Sequence, residues 1–171
     1  DRFPTERIAP TECDNFYRKQ QLIGYVHDET ACFFGGVQGN AGLFSNANDL
    51  AKLCQMWLNK GTYGNERILS PKTVELFLTE KSSTSRRGLG FDKPDMENPE
   101  KSPTAIEASA STIGHLGFTG TCFWIDPEQE LIYIFLCNRV YPSRTHDALS
   151  QLNIRPELFS TIYRSIKNHS K

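Results

Sequence analysis

The residues best suited to chemistry lie in one short stretch, residues 114–121, with the sequence Gly-His-Leu-Gly-Phe-Thr-Gly-Thr. Glycine within a strand costs stability and usually marks the close approach of a ligand or of another backbone. If the stretch is extended, alternation places His115, Gly117 and Thr119 on one face. That face joins a titratable imidazole to bare backbone, which suits a polar, extended substrate. A lone histidine on a strand is, by itself, more often structural than functional.

Two other groups of polar residues favour structural interpretations. Residues 27–29 (His-Asp-Glu) are adjacent. Because adjacent side chains diverge in both helices and strands, hydrogen bonding is favoured over shared metal ligation. Residues 63–65 (Tyr-Gly-Asn) form a Tyr-x-Asn triplet, but the neighbouring glycines indicate a turn between two helices.

Composition and spacing predict no metal, no cofactor and no nucleic-acid partner. The five cysteines include no Cys-x-x-Cys pair, so buried free thiols are favoured over a zinc site. The glycine-dense residues 35–42 lack the Gly-Lys-Ser/Thr that completes a phosphate-binding loop. A net charge of −1 gives nucleic acid no electrostatic support, and no apolar stretch is long enough for a membrane span.

Capping signals and apolar spacing predict three helices. Residues 1–34 are predicted to be irregular, apart from an apolar run at residues 22–26. The first helix is capped at Ser45 or Asn46 and ended by Gly61; the second begins at Ser70-Pro71; the third, opened by Pro156, closes the chain. The predicted buried positions are Leu50, Leu53, Cys54, Trp57 and Leu58, then Val74, Phe77 and Leu78, then Leu158, Phe159, Ile162, Tyr163 and Ile166.

The rest of the pattern predicts strands. A short strand at residues 88–91 is followed by a proline-containing surface loop over residues 92–112. Strands at residues 113–125 and 131–140 form a hairpin, and the apolar start of the second predicts a central place in its sheet. The whole is predicted to be one partial α+β domain. Its predicted parts are residues 1–80 (helical), 81–145 (strands) and 146–171 (C-terminal helix).

Four motifs in order resemble the serine β-lactamase and penicillin-binding-protein superfamily, in its class-C-like and esterase-like branch. They are residues 35–52 (GGVQGNAGLFSNANDLAK), 88–91 (GLGF), 115–121 (HLGFTGT) and 124–139 (WIDPEQELIYIFLCNR). Each motif alone has low specificity, but four in the family's order are strongly specific. A finer resemblance is to the β-lactamase-like domain attached to family-three glycoside hydrolases of some gut bacteria.

The resemblance implies the C-terminal part of a β-lactamase/transpeptidase-like fold, an antiparallel sheet packed by helices. Such enzymes use a Ser-x-x-Lys nucleophile, a Tyr- or Ser-based second motif and a Lys/His-x-Gly third motif. Residues 115–117 match the third motif, which makes His115 a catalytic candidate. By the same resemblance, the Phe118 N–H is one half of an oxyanion hole, while Gly117 and Thr119 bind substrate.

The departures from the family pattern decide the expected activity. No Ser-x-x-Lys occurs in these 171 residues, and the Tyr63 triplet follows the glycine-rich loop instead of preceding it. Without a nucleophile there is no acyl-enzyme. We therefore expect the C-terminal fragment of a bacterial serine hydrolase that cleaves a small-molecule amide or ester when full-length and is inactive alone. The alternative is a non-catalytic accessory β-lactamase-like domain of a glycoside hydrolase of the β-N-acetylglucosaminidase type.

The resemblance also implies a location and a surface. It implies a periplasmic or cell-surface protein. In the family, the first two strands in sequence lie beside the last one, and here they would lie upstream of Asp1. The strand at residues 131–138 would then expose an edge, and the C-terminal helix would expose part of its apolar stripe. Because an unpaired edge is a template for another chain, self-association there is expected.

Overall fold

The computed structural model of the protein describes residues 3–79 and 82–169. Its strands are β1 (Pro10–Asp14), β2 (Gln20–Ile23), β3 (Thr62–Tyr63), β4 (Glu66–Arg67), β5 (Ile113–Leu116), β6 (Cys122–Asp126) and β7 (Leu131–Phe135). Its helices are α1 (Glu29–Phe33), α2 (Ala47–Leu58), α3 (Pro71–Thr79), α4 (Ala148–Gln151) and α5 (Ile154–His169), with short 3₁₀ turns at Thr5–Arg7 and Pro99–Lys101. The predicted α+β class is confirmed.

The main sheet is antiparallel, with three strands in the order β5-β6-β7. The predicted hairpin is confirmed, since β6 and β7 pair from Asp126–Leu131 at the turn to Cys122–Phe135. Alternation along each strand sends neighbouring side chains to opposite faces. Both faces of the sheet can therefore be buried.

Two apolar clusters cover the two faces of the sheet. On one face α5 packs against the sheet through residues that include Cys122, Trp124, Tyr133, Phe159 and Tyr163. On the other face α2 and α3 pack through residues that include Cys54, Trp57, Phe77, Ile125 and Ile134. Burial on both faces explains the continuous apolar run of β7.

The open edge expected for β7 is present. Among the described strands β7 pairs only with β6 and lies at the edge of the three-stranded sheet. Its apolar residues pack against helices on both faces: Tyr133 packs in the α5 cluster, and Ile132 and Ile134 pack in the α2 cluster. A central place for β7 beside further strands of a longer protein stays a prediction. Self-association along this edge stays a prediction.

The capping signals give the correct starts for α2 and α3. Asn46 accepts a hydrogen bond from Asp49 N at 3.0 Å, and Gly61 follows α2 at φ +93°. Ser70 Oγ accepts one from Thr73 N at 3.0 Å, with Pro71 in the first turn of α3. The predicted apolar face of α2 is slightly misplaced, because Leu53 is exposed while the neighbouring Met56 is buried.

The predicted face of α5 is confirmed at its centre only. Phe159 and Tyr163 are buried, and Ile162 is partly buried against the same cluster. Leu158 and Ile166 are exposed. Only part of the apolar stripe of α5 is therefore exposed, and its central residue Phe159 is fully buried.

Three predictions for the connecting segments are wrong in whole or in part. Residues 1–34 are not irregular, because β1 and β2 form a hairpin and α1 follows; with β3 and β4, the predicted helical part contains two hairpins. Residues 88–91 form no strand, and only an isolated bridge joins Asp92 to Gly114. The surface loop predicted for residues 92–112 is continuously exposed only at residues 96–101, because small side chains at Ala105 and Ala108 pack under α5. The predicted boundary at residues 80 and 81 lies outside the described residues.

Candidate functional site

The candidate site is built on a tight loop, residues 117–121, between β5 and β6. Gly117 N donates to Thr121 O at 2.7 Å, and Gly120 N donates to Gly117 O at 3.0 Å. Gly120 has φ +115°, which only glycine adopts readily. Because β5 ends at Leu116, strand alternation stops there, and the prediction that His115, Gly117 and Thr119 share one strand face is wrong.

The glycines of this region permit close packing inside the chain. A Cβ at Gly117 would overlap the Thr121 hydroxyl, and one at Gly114 would overlap the Phe123 carbonyl on the paired strand. These two glycines are therefore explained by neighbouring groups of the protein itself. Substrate contacts by Gly117 and Thr119 remain predictions.

The Phe118 N–H is an unpaired donor on the exposed tip of the loop. Within the described part of the chain it donates to no acceptor, whereas the carbonyls around it are all engaged. Gly117 O, on the same peptide unit, accepts from Gly120 N and lies 3.5 Å from Arg155 Nη1. Since N–H and C=O of a trans peptide point in opposite directions, the Phe118 N–H points away from these partners.

His115 lies half-buried on β5 with both ring nitrogens engaged. Nδ1 is 2.7 Å from Leu116 O, and Nε2 is 3.2 Å from Arg87 Nη1. Because a carbonyl can only accept, the hydrogen-bond pattern assigns the proton to Nδ1. The neutral ring then accepts at Nε2, and the guanidinium of Arg87 donates to it.

Arg87 is a site residue that sequence reasoning misses. Its side chain is half exposed beside His115, and the segment that holds it is anchored by Asp92. Asp92 is buried, accepts a hydrogen bond from Arg86 Nη2 at 2.8 Å and pairs through its backbone with Gly114 on β5. The only sequence signal is the Arg-Arg pair directly before residues 88–91. Because the residues before this pair are also polar, the pair does not distinguish Arg87 from an ordinary surface residue.

The Phe118 ring contacts two residues from distant parts of the chain. His27 stacks on it with ring centroids 5.3 Å apart, and the Arg139 guanidinium lies 4.6 Å from the ring centroid. His27 is itself buried, with Nε2 3.0 Å from Glu12 Oε2. That distance suits an ion pair, although Nε2 has no hydrogen-bond partner of acceptable geometry among the described residues.

Glu12 lies at the centre of a buried cluster of charged side chains next to His27, the residue that stacks on Phe118. Arg144 donates to both of its oxygens, from Nε at 2.8 Å and from Nη2 at 2.7 Å. The hydrogen bonds from the Arg144 side chain lower the pKa of Glu12 despite its burial. The same bonds raise the pKa of Arg144. The pair is therefore charged at neutral pH.

The structural interpretations of residues 27–29 and 63–65 are confirmed. His27 points to Glu12, Asp28 caps α1 by accepting from Ala31 N at 2.7 Å, and Glu29 pairs with Arg144 at 2.7 Å. Three adjacent side chains thus serve three different partners. Residues 63–65 form the turn between β3 and β4, with Gly64 at φ +58°.

The five cysteines are free thiols, but the predicted burial is confirmed only for Cys54 and Cys122, and these two are poor nucleophiles. Burial raises the pKa of the Cys54 thiol to about 11 and that of Cys122 to about 11. Within residues 3–79 and 82–169, no group of three or more His, Cys, Asp or Glu side chains could hold a metal ion. No described helix is long and apolar enough to cross a membrane.

The family follows from comparison with known proteins. The β-lactamase family model matches residues 3–154. The chain belongs to the β-lactamase family. Proteins of Salmonella newport, Salmonella heidelberg and Salmonella agona, each named "Putative D-alanyl-D-alanine carboxypeptidase", are 38% identical to it over 144 residues. The match covers 83% of this chain and 32% of each relative, so the chain spans about a third of their length.

These comparisons confirm the resemblance to the serine β-lactamase and penicillin-binding-protein-like superfamily. In this β-lactamase-family chain, the imidazole of His115 contacts the guanidinium of Arg87, and the unpaired Phe118 N–H lies three residues after His115 in sequence. Amides, imidazoles and guanidiniums are the donor types that stabilise negative charge in acyl transfer.

Proposed function

We propose that this chain forms one wall of the active site of a serine hydrolase that cleaves amide or ester bonds through an acyl-enzyme. The observation that supports it best is the unpaired Phe118 N–H at the loop tip, three residues after His115 in sequence. The names of the Salmonella relatives favour a peptide ending in D-alanyl-D-alanine as substrate. A periplasmic or cell-surface location follows from the same assignment.

In this proposal the Phe118 N–H serves the developing oxyanion. Attack on an acyl carbon converts its oxygen to an alkoxide, which needs fixed donors that require no reorganisation. The Phe118 N–H is already directed away from its own protein partners. Removal of one such donor typically lowers kcat by about 10² to 10³.

His115 and Arg87 divide between them the work of the commoner lysine of the third motif. The His115 Nε2 is an acceptor held by Arg87, so it can receive a proton or a hydroxyl hydrogen bond from the reacting groups once the Arg87 guanidinium turns to the substrate. Arg87 supplies the positive charge, and its guanidinium presents several donors to an anionic group. The two side chains lie 3.2 Å apart, so one bound group could contact both.

The nucleophile in this proposal comes from another part of a longer protein. No Ser-x-x-Lys occurs in the 171 residues, and the matched relatives are about three times as long as the aligned region. The second oxyanion donor would come with that serine. The chain alone therefore binds part of a substrate but forms no acyl-enzyme.

The first experiment tests the chain alone. It should hydrolyse neither nitrocefin nor p-nitrophenyl esters, and intact mass spectrometry after penicillin treatment should show no added acyl group. Stoichiometric acylation of any serine would overturn the proposed division of the active site.

The second experiment tests the longer protein that contains this chain, with a peptide ending in D-alanyl-D-alanine as substrate. His115→Ala should lower kcat/KM by about 10²-fold or more, the range for losing a positioned polar group. His146→Ala is the matched control, because that histidine lies exposed in the loop after β7. A loss under about threefold for His115→Ala, with the fold intact, would make His115 structural.

A further inference from the structure

Arg139, a few residues beyond β7, contacts the 117–121 loop at three points. Its backbone N donates to Thr119 O at 2.9 Å, and its side-chain Nε donates to Phe118 O at 3.0 Å. Its guanidinium also lies 4.6 Å from the centroid of the Phe118 ring. One residue therefore holds the main chain and the side chain of the loop tip.

The Arg139 guanidinium is itself fixed from the opposite side. Nη1 donates to His146 O at 2.7 Å and to Arg144 O at 3.2 Å. These carbonyls belong to the segment that Glu12 anchors by accepting from Arg144 N at 3.0 Å. The planar guanidinium thus bridges two loops, with Nε toward one and Nη1 toward the other.

These contacts determine the direction of the Phe118 N–H. The N–H belongs to the peptide between residues 117 and 118, and the carbonyl of the next peptide accepts from Arg139 Nε. The Gly117 carbonyl is held separately by Gly120 N. With the peptide units on both sides of the Phe118 Cα fixed, φ and ψ of Phe118 are fixed, and so is the N–H vector.

We propose that Arg139 is a positioning residue that aims the Phe118 N–H at the reacting group. Its kinetic consequence rests on the proposed function, but its geometric consequence does not. A lysine cannot replace it fully, because an ammonium on a flexible stem lacks the rigid planar fork that reaches both loops at once. His27, stacked on the same ring, supports the loop from the buried side.

The geometric test is NMR on the 15N-labelled 171-residue chain. In the unmodified chain the Arg139 Nε–H should exchange slowly with water, and heteronuclear NOE values at residues 117–121 should match those of β6. In Arg139→Gln the NOE values at residues 117–121 should fall while those of β5–β7 stay unchanged. Arg139→Lys should give an intermediate loss, and Arg164→Gln, which removes an exposed arginine bonded to Glu107, should give none.

A loop that keeps its NOE values in Arg139→Gln, or a freely exchanging Arg139 Nε–H, would overturn the proposal. If Arg139→Gln fails to fold, Arg139→Lys and the exchange rate in the unmodified chain still decide it.

The kinetic test uses the longer protein. Arg139→Gln should lower kcat about tenfold or more with KM nearly unchanged, and Arg139→Lys should restore part of that loss, because a misdirected oxyanion donor weakens only transition-state binding. A raised KM with an unchanged kcat in Arg139→Gln would show that Arg139 has no positioning role. If the unmodified protein hydrolyses no amide or ester, the proposed function fails while the NMR result on the loop stands.

Discussion

Two regions of this molecule are held together by opposite means. The three-stranded sheet is buried between helices by apolar side chains such as Trp124 and Phe159. The β1–β2 hairpin is instead joined to the chain after β7 by a polar junction, defined here as Glu12, Asp14, Arg18, His27 and Arg144. The 117–121 loop lies between the two: its ends continue from β5 and β6, and its Phe118 ring rests on His27.

The candidate site depends on both regions. Apolar packing tolerates moderate rearrangement, because dispersion and burial have no preferred direction. Buried ion pairs require specific partners, and removal of one partner leaves the other charge uncompensated. The polar junction contains few residues, but even a conservative substitution of one of them should therefore lower the free energy of unfolding.

The largest expected loss follows from opening the apolar region. Trp124 is fully buried on β6, and Trp124→Ala should lower the free energy of unfolding by about 3–5 kcal/mol. Urea denaturation followed by circular dichroism measures this directly. Leu43→Ala, at an exposed loop position, is the control and should change stability by less than about 0.5 kcal/mol. A similar small loss for both variants would contradict the assigned core.

The second prediction breaks the polar junction. Glu12→Gln removes the charge that Arg144 and His27 face, and should cost about 2–3 kcal/mol, below the full penalty for a buried pair because Arg144 is partly exposed. Glu29→Gln is the matched control, since Glu29 pairs with the same arginine at 2.7 Å but is more exposed. It should cost under about 1 kcal/mol. If both variants lose equally little, the junction contributes no more than a surface ion pair.

The two regions also differ in how much the sequence can predict. Periodicity and caps reveal α2, α3 and the β6–β7 hairpin because these depend on neighbours a few residues apart. The junction is invisible to such patterns, because Glu12 and Arg144 are 132 residues apart in sequence. The apolar run of β7 indicates burial on two faces but does not identify its strand neighbours, and the open edge of β7 is expected from the family resemblance alone.

The candidate site divides in the same way. His115 and Phe118 are predicted because they lie in a recognisable motif. Arg87 and Arg139 are missed, since their contacts depend on segments distant in sequence. The segment before β5 places Arg87 beside His115, and the segment after β7 places Arg139 against the 117–121 loop. The strand-face prediction for Gly117 and Thr119 fails because glycine permits the turn that ends β5.

The third prediction uses acid to separate the two regions. Burial alone would raise the pKa of Asp14, but hydrogen bonds from the Arg18 side chain and from the backbone N–H groups of residues 16–18 outweigh it and lower that pKa strongly. The pKa of Glu12 is lowered too, chiefly by the Arg144 side chain. A lowered folded-state pKa gives stability that is present above the unfolded value and is lost as pH falls toward the folded value.

Urea midpoints should therefore fall as pH drops below about 4.5, the ordinary range of these carboxyl groups. Glu12→Gln should show a shallower dependence on pH than the unmodified chain, while Leu43→Ala should match the unmodified chain. A pH dependence unaltered by Glu12→Gln would assign the acid sensitivity to Asp14 or to carboxylates outside the polar junction.

The smallest effect is expected at Asp126, a carboxylate buried at the end of β6 in the apolar region. Asp126 accepts a hydrogen bond from Tyr163 at 2.5 Å and others from Ser109 N and Oγ at 3.1 and 2.7 Å. Burial would raise the pKa of Asp126, but these hydrogen bonds lower it overall. Tyr163→Phe removes one donor and leaves the others, so the free energy of unfolding should fall by only about 1 kcal/mol. A loss as large as that of Glu12→Gln, measured by the same urea titration, would show that the sheet too depends on directed polar contacts, and the contrast between the two regions would disappear.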